Sequence, residues 1–220
     1  MMNRIKDTYI NMKLSNVEKT HMPNSASLFL IESSPLKNNL KILELGAGSG
    51  HVSIAISKMF ENSIISCIEI QKSIFDSLKI NLNLNNCNNI QAINDDVKNI
   101  KNYFESDSFD LIISNPPHYF GGRSSDDKSR FTARTFDDLE SLNGFFYATK
   151  YALKNKKMAN FVIHPSIFSP VISMMKNNKL EPHSMMTAYG NKNNNAQFIS
   201  ILCRKNGGTH FYIKPPYFLK

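Results

Sequence analysis

The stretch Lys41-Ile42-Leu43-Glu44-Leu45-Gly46-Ala47-Gly48-Ser49-Gly50 decides the fold. Its first half is a short apolar strand interrupted by one carboxylate. The apolar residues after it, from His51 to Phe60, recur at helical spacing. Between strand and helix stand three glycines, which permit tight backbone torsions and let a ligand approach the main chain. The spacing is G-x-G-x-G. It is not the G-x-G-x-x-G of dinucleotide folds, in which a helix dipole meets a pyrophosphate. That difference, together with the Pro116-Pro117 pair at a later strand end, argues against a nicotinamide-dependent oxidoreductase.

Working outward, Ser63–Ile70 reads as a second strand with Glu69 at its tip. A carboxylate there can accept both ribose hydroxyl hydrogens of an adenosine-containing cofactor. Gln71–Leu84 keeps Ile74, Phe75, Leu78 and Leu82 at helical spacing, and the Asn-rich tract Asn81–Asn89 reads as the solvated loop that ends it. Ile90–Val97 is a third strand with Asp95 and Asp96 at its end. Upstream, Asn24 or Ser25 caps a short helix running to Ile31, and residues 1–20 form a cover packed on the sheet edge.

The fourth strand carries the chemistry. Phe109-Asp110-Leu111-Ile112-Ile113 runs into Ser114-Asn115-Pro116-Pro117-His118. An apolar run ending on a proline pair is a buried strand that stops abruptly at the ligand-binding edge of an α/β sheet. The Asn115 side-chain oxygen and the Pro116 carbonyl both accept hydrogen bonds, and the prolines contribute no competing donor. Two acceptors at fixed geometry grip the hydrogens of a planar amino group and turn its lone pair toward an electrophile. Residues 119–136 then form a loop with a Gly121-Gly122 hinge, in which Arg123, Lys128, Arg130 and Arg134 alternate with Phe131 and Phe136. Basic and aromatic residues beside an amine pocket suit phosphate contacts and base stacking.

Further on, Met158–Pro165 is a fifth strand, Ser166 caps a helix to about Asn177, and His164 is structural. Met185–Tyr189 and Phe198–Arg204 are the last two strands, separated by a turn at Gly190–Asn195, and Thr209–Lys220 packs along the surface. Strands alternating with helices imply a mostly parallel sheet. The 220 residues suit one domain, with 1–35 as N-terminal cover, 36–206 as core and 207–220 as tail. A net charge of +8 favours a polyanionic partner. Three scattered cysteines, Cys67, Cys87 and Cys203, have no metal-ligand spacing, and no metal is expected. With no apolar run of about 18 residues and no signal-peptide pattern, a cytoplasmic protein without a membrane partner is expected.

Asn-Pro-Pro followed by an aromatic resembles the signature of S-adenosylmethionine-dependent methyltransferases acting on amino groups of adenine, cytosine, guanine or glutamine. His118 stands where those enzymes carry Tyr, Phe or Trp, with Tyr119 and Phe120 next to it. The resemblance implies the seven-stranded class I methyltransferase fold, an α/β sheet with an antiparallel last strand and helices on both faces. It implies that Gly46, Gly48 and Gly50 cradle the amino-acid end of S-adenosylmethionine, and Glu44 matches that motif's acidic residue. Asp96, or Asp95 if the register differs by one, contacts the cofactor's adenine amino group. Asn115 touches both cofactor and amine.

Over about residues 24–205, the Gly-and-Arg loop and Ala133-Arg134-Thr135 before a Leu-containing helix are similar to the valine-tRNA adenine-N6 methyltransferase family. That implies N6 methylation of an adenosine next to the anticodon of tRNA. Asn115, Pro116, Pro117 and His118 would be the catalytic group, with Tyr119, Phe120, Arg123, Arg130 and Arg134 binding the substrate. A protein glutamine amide, or another exocyclic amine in rRNA or DNA, offers the same clamp the same group. Family members usually carry Asp in the segment before the first strand, where this chain offers Asn24 or Ser25.

Overall fold

A computed structural model describes residues 5, 7–9, 11–15, 24–116 and 139–219. Seven of the sequence-derived site residues, Pro117, His118, Tyr119, Phe120, Arg123, Arg130 and Arg134, lie outside the described residues, as does the Gly121-Gly122 hinge. The main strands, in chain order, are β1 (Lys41–Leu45), β2 (Ile64–Glu69), β3 (Ile90–Asn94), β4 (Phe109–Ser114), β5 (Leu153–Ile163), β6 (Leu180–Tyr189) and β7 (Phe198–Lys205). The helices are α1 (Ser25–Ser33), α2 (His51–Met59), α3 (Lys72–Leu84), α4 (Leu139–Ala152) and α5 (Phe168–Asn177).

The spatial order is β3-β2-β1-β4-β5-β7-β6. β1 to β5 pair in parallel, and β7 runs antiparallel to both β5 and β6. Alternation along the strands explains the two cores. Leu43 and Ile112 face Leu142, Phe146, Val171 and Met175 of α4 and α5, whereas Ile42, Leu111 and Ile113 face Phe29, Leu30, Ile54, Ile56 and Leu78 of α1 to α3. Burial on both faces is why these strands read as continuous apolar runs.

A buried polar network ties α1 to the middle of the sheet. Asn160 on β5 is fully buried; its Nδ2 donates to Ser33 Oγ and Ser34 Oγ, both at 2.9 Å, and its Oδ1 accepts from Ser200 Oγ at 2.7 Å. Every polar atom of that amide therefore has a partner.

Several boundaries differ from expectation. β3 ends at Asn94, because the Asp96 side chain accepts from Lys98 N and caps a 3₁₀ turn at Val97–Asn102. Asn81 and Asn85 are not in a solvated loop: Asn81 lies within α3, Asn85 caps its end, and both are buried. His164, not Ser166, caps the turn after β5, with Nδ1 accepting from Ser166 N at 3.2 Å; its expected structural role is confirmed. β5 and β6 begin earlier than expected, at Leu153 and Leu180. The tail does more than pack. Its two-residue strands β8 (Tyr212–Ile213) and β9 (Tyr217–Phe218) pair with β6, adding to the expected seven and making nine strands among the described residues.

The described residues of the N-terminal cover pack on the helices of one face of the sheet. Ile5 and Met12 are buried in the α1–α3 core, Tyr9 meets His51 of α2 edge-on at 5.9 Å, and Lys13 and Ser15 bond to the α3 asparagines. Side-chain amides on the α3 face supply the backbone partners of Lys13 and Ser15.

Replacing Asn160 with Ala leaves the buried Ser200 hydroxyl without its acceptor and cuts the link to Ser33 and Ser34, whose hydroxyls keep the Phe29 and Leu30 carbonyls. A loss of roughly 1–3 kcal/mol in urea unfolding is expected; an unchanged midpoint would show that the network does not join α1 to the sheet.

Candidate active site

Three strand tips meet at one edge. Leu45 of β1 pairs with Ile68 of β2 and with Ser114 of β4, so Gly46, Glu69 and Asn115 are the next residues on three adjacent strands. The turn is pinned from below: Gly46 N–H and Ala47 N–H both donate to the Ile68 carbonyl at 3.0 Å. Gly46 and Gly50 have φ of +73° and +86°, where an L side chain is strained. Space adds to the requirement at Gly50, where a Cβ would sit 3.0 Å from Leu78 Cγ; at Gly46 the backbone torsion alone imposes it. Gly48, φ +56°, turns its N–H onto Glu69.

Glu69 is 5% exposed and its carboxylate is organised by backbone donors. Oε2 accepts from Gly48 N–H and Oε1 from Gln71 N–H, each at 2.9 Å. The Ile70 N–H also acts on this carboxylate, and the lone-pair capacity that remains can take a hydroxyl donor such as a ribose presents. Burial raises its carboxyl above the usual value, against the downward pull of those N–H groups.

Glu44 lies beneath the loop, 3% exposed, with Oε2 accepting from Ser53 Oγ of α2 at 2.5 Å. Burial lifts its carboxyl from the usual 4.5 to about 8, with the Ser53 hydrogen bond opposing and the charge of Glu69 adding to the rise. It ties strand to helix under the pocket.

The two aspartates after β3 are engaged differently. Asp95 accepts from Tyr103 OH at 2.6 Å, Asn99 Nδ2 at 2.8 Å and Asp96 N at 2.7 Å, and these bonds, Tyr103 first, hold its carboxyl below the usual value. Asp96 uses Oδ1 for Lys98 N at 2.9 Å. Asp96 is therefore the less committed of the two.

At the tip of β4, Pro116 is buried and Asn115 half-buried. The Asn115 Oδ1 atom is sealed from solvent and has no hydrogen-bond partner among the described residues. An unsatisfied buried acceptor costs about 1–3 kcal/mol. Such an atom at a ligand edge marks a place where a donor is to be supplied.

Sequence reasoning missed the helical support behind the loop, namely Ser53, His51 and Asn81. His51 Nε2 lies 2.8 Å from Ser27 Oγ and Nδ1 lies 3.1 Å from Ser49 Oγ, while Asn81 Nδ2 donates to the Ser49 carbonyl at 3.0 Å. The one available signal was the i, i+3 spacing of Leu78 and Asn81. Among the described residues, no group of three or more His, Cys, Asp or Glu is placed to hold a metal, and no helix is long and apolar enough to cross a membrane.

Residues 12–157 match the methyltransferase small domain family. The chain belongs to that family. S-adenosylmethionine is the cofactor of the family and of its structural neighbours, and the glycine loop with a half-used buried carboxylate fits it. Among curated relatives, a release factor glutamine methyltransferase of Lactococcus lactis is 32% identical over 111 residues, 49% of this chain and 39% of that protein. A tRNA1(Val) (adenine(37)-N6)-methyltransferase of Tolumonas auensis is 27% identical over 116 residues, 52% of this chain and 47% of that protein. The matches thus span less than half the length of these relatives.

Among solved structures, a predicted O-methyltransferase from Agrobacterium tumefaciens superposes with a TM-score of 0.70 at 13% identity, covering 88% of this chain and 86% of that one. Geranyl diphosphate C-methyltransferase from Streptomyces coelicolor does so at 0.57 and 10% identity, covering 84% and 76%. These confirm the class I methyltransferase fold.

The raised Glu44 carboxyl makes stability depend on pH. The folded state holds a proton that the unfolded chain releases near 4.5, so this contribution is complete below 4.5 and is lost as pH rises through about 8. Glu69 pulls in the same direction. Melting temperatures of Glu44→Gln are expected to fall less steeply than those of the parent between those two pH values; parallel curves would show Glu44 ionised when buried.

Proposed function

We propose that the protein is an S-adenosylmethionine-dependent N-methyltransferase acting on the exocyclic N6 amine of an adenosine in RNA, specifically in tRNA next to the anticodon. The buried Asn115 Oδ1 at the tip of β4, unpartnered among the described residues, carries this reading. When bound, S-adenosylmethionine supplies a methyl group on a positively charged sulfur, already a strong electrophile. The chain's own task is then to hold and orient. Glu69 takes the ribose hydroxyls, the Gly46–Gly50 turn the amino-acid end, and Asp96 the adenine edge. Asn115 Oδ1 and the Pro116 carbonyl accept the two N6 hydrogens, raising electron density on the nitrogen to be methylated. No general base is needed, because the amine loses its proton only after it has become strongly acidic.

An adenine in RNA must be turned out of its stack to enter such a clamp. His118, with Tyr119 and Phe120 beside it, is the stacking group in this reading, and Arg123, Arg130 and Arg134 meet phosphates. The net charge of +8 supports a nucleic-acid partner. A tRNA substrate in turn implies a cytoplasmic site of action.

A glutamine side-chain amide is the second reading, favoured by the release factor glutamine methyltransferase among the relatives. The clamp is indifferent, since both substrates present a planar amino group. The arginines after β4 favour RNA.

Incubation with tritiated S-adenosylmethionine and total RNA, followed by nucleoside analysis, is expected to place label in N6-methyladenosine of the tRNA fraction. Label in protein instead would favour glutamine. Asn115→Ala is expected to lower turnover on the order of a hundredfold while leaving cofactor affinity near that of the parent; equal losses in both would reduce Asn115 to a structural turn.

A further inference from the structure

Asn81 of α3 has no solvent exposure and uses both ends of its amide. Nδ2 donates to the Ser49 carbonyl in the glycine loop at 3.0 Å, and Oδ1 accepts from Ser15 N–H at 2.8 Å. One turn later, Asn85 treats Lys13 as a neighbouring strand would. Its Oδ1 accepts from Lys13 N–H at 3.2 Å and its Nδ2 donates to the Lys13 carbonyl at 2.7 Å. Positions i and i+4 share a helix face, so two side-chain amides hold residues 13–15 along α3.

The other end of this chain of bonds lies in the cofactor loop. The Ser49 carbonyl and the Gly50 N–H belong to one rigid peptide plane. Asn81 holds the carbonyl end, and the Gly50 N–H donates to the Ala47 carbonyl at 3.0 Å. This is the plane that enters Gly50 at φ +86° and starts α2. α3 also abuts Gly50 through Leu78, and Gln71, the residue that caps α3, donates its N–H to Glu69. A single helix therefore touches the glycine turn, the candidate ribose carboxylate and the N-terminal segment.

We propose that Asn81 is a positioning residue for the cofactor pocket, coupling the docking of residues 13–15 on α3 to the conformation of the glycine loop and so to cofactor affinity. The inference rests on the assignment of the Gly46–Gly50 turn to S-adenosylmethionine. A buried amide that loses one partner loses the geometry that served the other, so freeing Ser15 loosens the hold on Ser49, and the reverse. Linkage makes the effect reciprocal: whatever tightens cofactor binding through Asn81 also tightens the N-terminal segment.

The test combines calorimetric titration of S-adenosylhomocysteine with amide hydrogen exchange of the peptide carrying residues 11–15. Asn81→Asp keeps an acceptor for Ser15 but sets a carboxylate oxygen against the Ser49 carbonyl. Ser15→Pro removes one N–H from a surface segment and leaves the core intact. In the parent protein, ligand is expected to bind and to slow exchange in the 11–15 peptide. Asn81→Asp is expected to bind about tenfold more weakly and to lose that slowing. Ser15→Pro is expected to weaken binding about threefold, deciding the matter if Asn81→Asp does not fold.

Parent-like affinity in a folded variant, with a lowered melting temperature alone, would overturn the proposal and make Asn81 a structural residue. Ligand binding that leaves exchange in residues 11–15 unchanged would overturn the coupling. Failure of the parent protein itself to bind the ligand would overturn the cofactor assignment, and this inference with it.

Discussion

The register of β1 between β2 and β4 is the constraint on which the site depends. Leu45 is level with Ile68 on one side and Ser114 on the other. The chain can therefore leave the sheet at Gly46, Glu69 and Asn115 at one height. Three local bonds lock this level: the N–H groups of Gly46 and Ala47 on the Ile68 carbonyl, and Ser114 Oγ on the Leu45 carbonyl at 2.8 Å. A slip of one residue would turn every side chain of β1 to the opposite face. Leu43 and Leu45 would leave one core and Glu44 would enter it, so both cores oppose the slip.

This explains why much of the site was legible in the sequence. A strand buried on both faces reads as an apolar run, and a turn that needs positive φ reads as glycine. β1, the glycine turn and α2 come from those two rules, whereas the antiparallel β6–β7 hairpin was expected from the fold that the resemblance implies. What failed was the reading of polar residues by composition. Asp95 and Asp96 looked like the end of a strand, but an aspartate that can cap a turn two residues ahead competes with the sheet for its own backbone. The asparagines of residues 81–89 looked like solvent-facing loop in a chain rich in Asn, yet Asn81 and Asn85 are buried and fully engaged. Pattern reasoning counts apolar faces, and an amide that replaces a backbone partner leaves no mark in that count.

The fold itself is indifferent to the methyl acceptor. Similar sheets occur in a predicted O-methyltransferase and in a C-methyltransferase, so the fold does not fix the atom that is methylated. At the β4 tip a buried oxygen has no donor among the described residues, while the amide of Asn160 on the adjacent strand is satisfied completely. The contrast between two asparagines one strand apart is informative. One is bonded at every polar atom of its amide, and the other keeps an acceptor that is unmet among the described residues.

Two buried carboxylates behind the glycine turn belong to the same logic. Each is partly neutralised by local donors, Glu44 by a serine hydroxyl and Glu69 by two N–H groups, and burial raises the proton affinity of both. Desolvation opposes the burial of either acid, so each needs partners that compensate for it. Retaining Glu69 against that penalty makes sense if a ligand's hydroxyl hydrogens complete its shell. Glu44 then has a different reason to be buried: it joins β1 to α2 through Ser53 and holds the turn above it in shape. Precision in the loop thus comes from beneath, from Glu44 and Ser53 on one side and from Leu78 and Asn81 of α3 on the other.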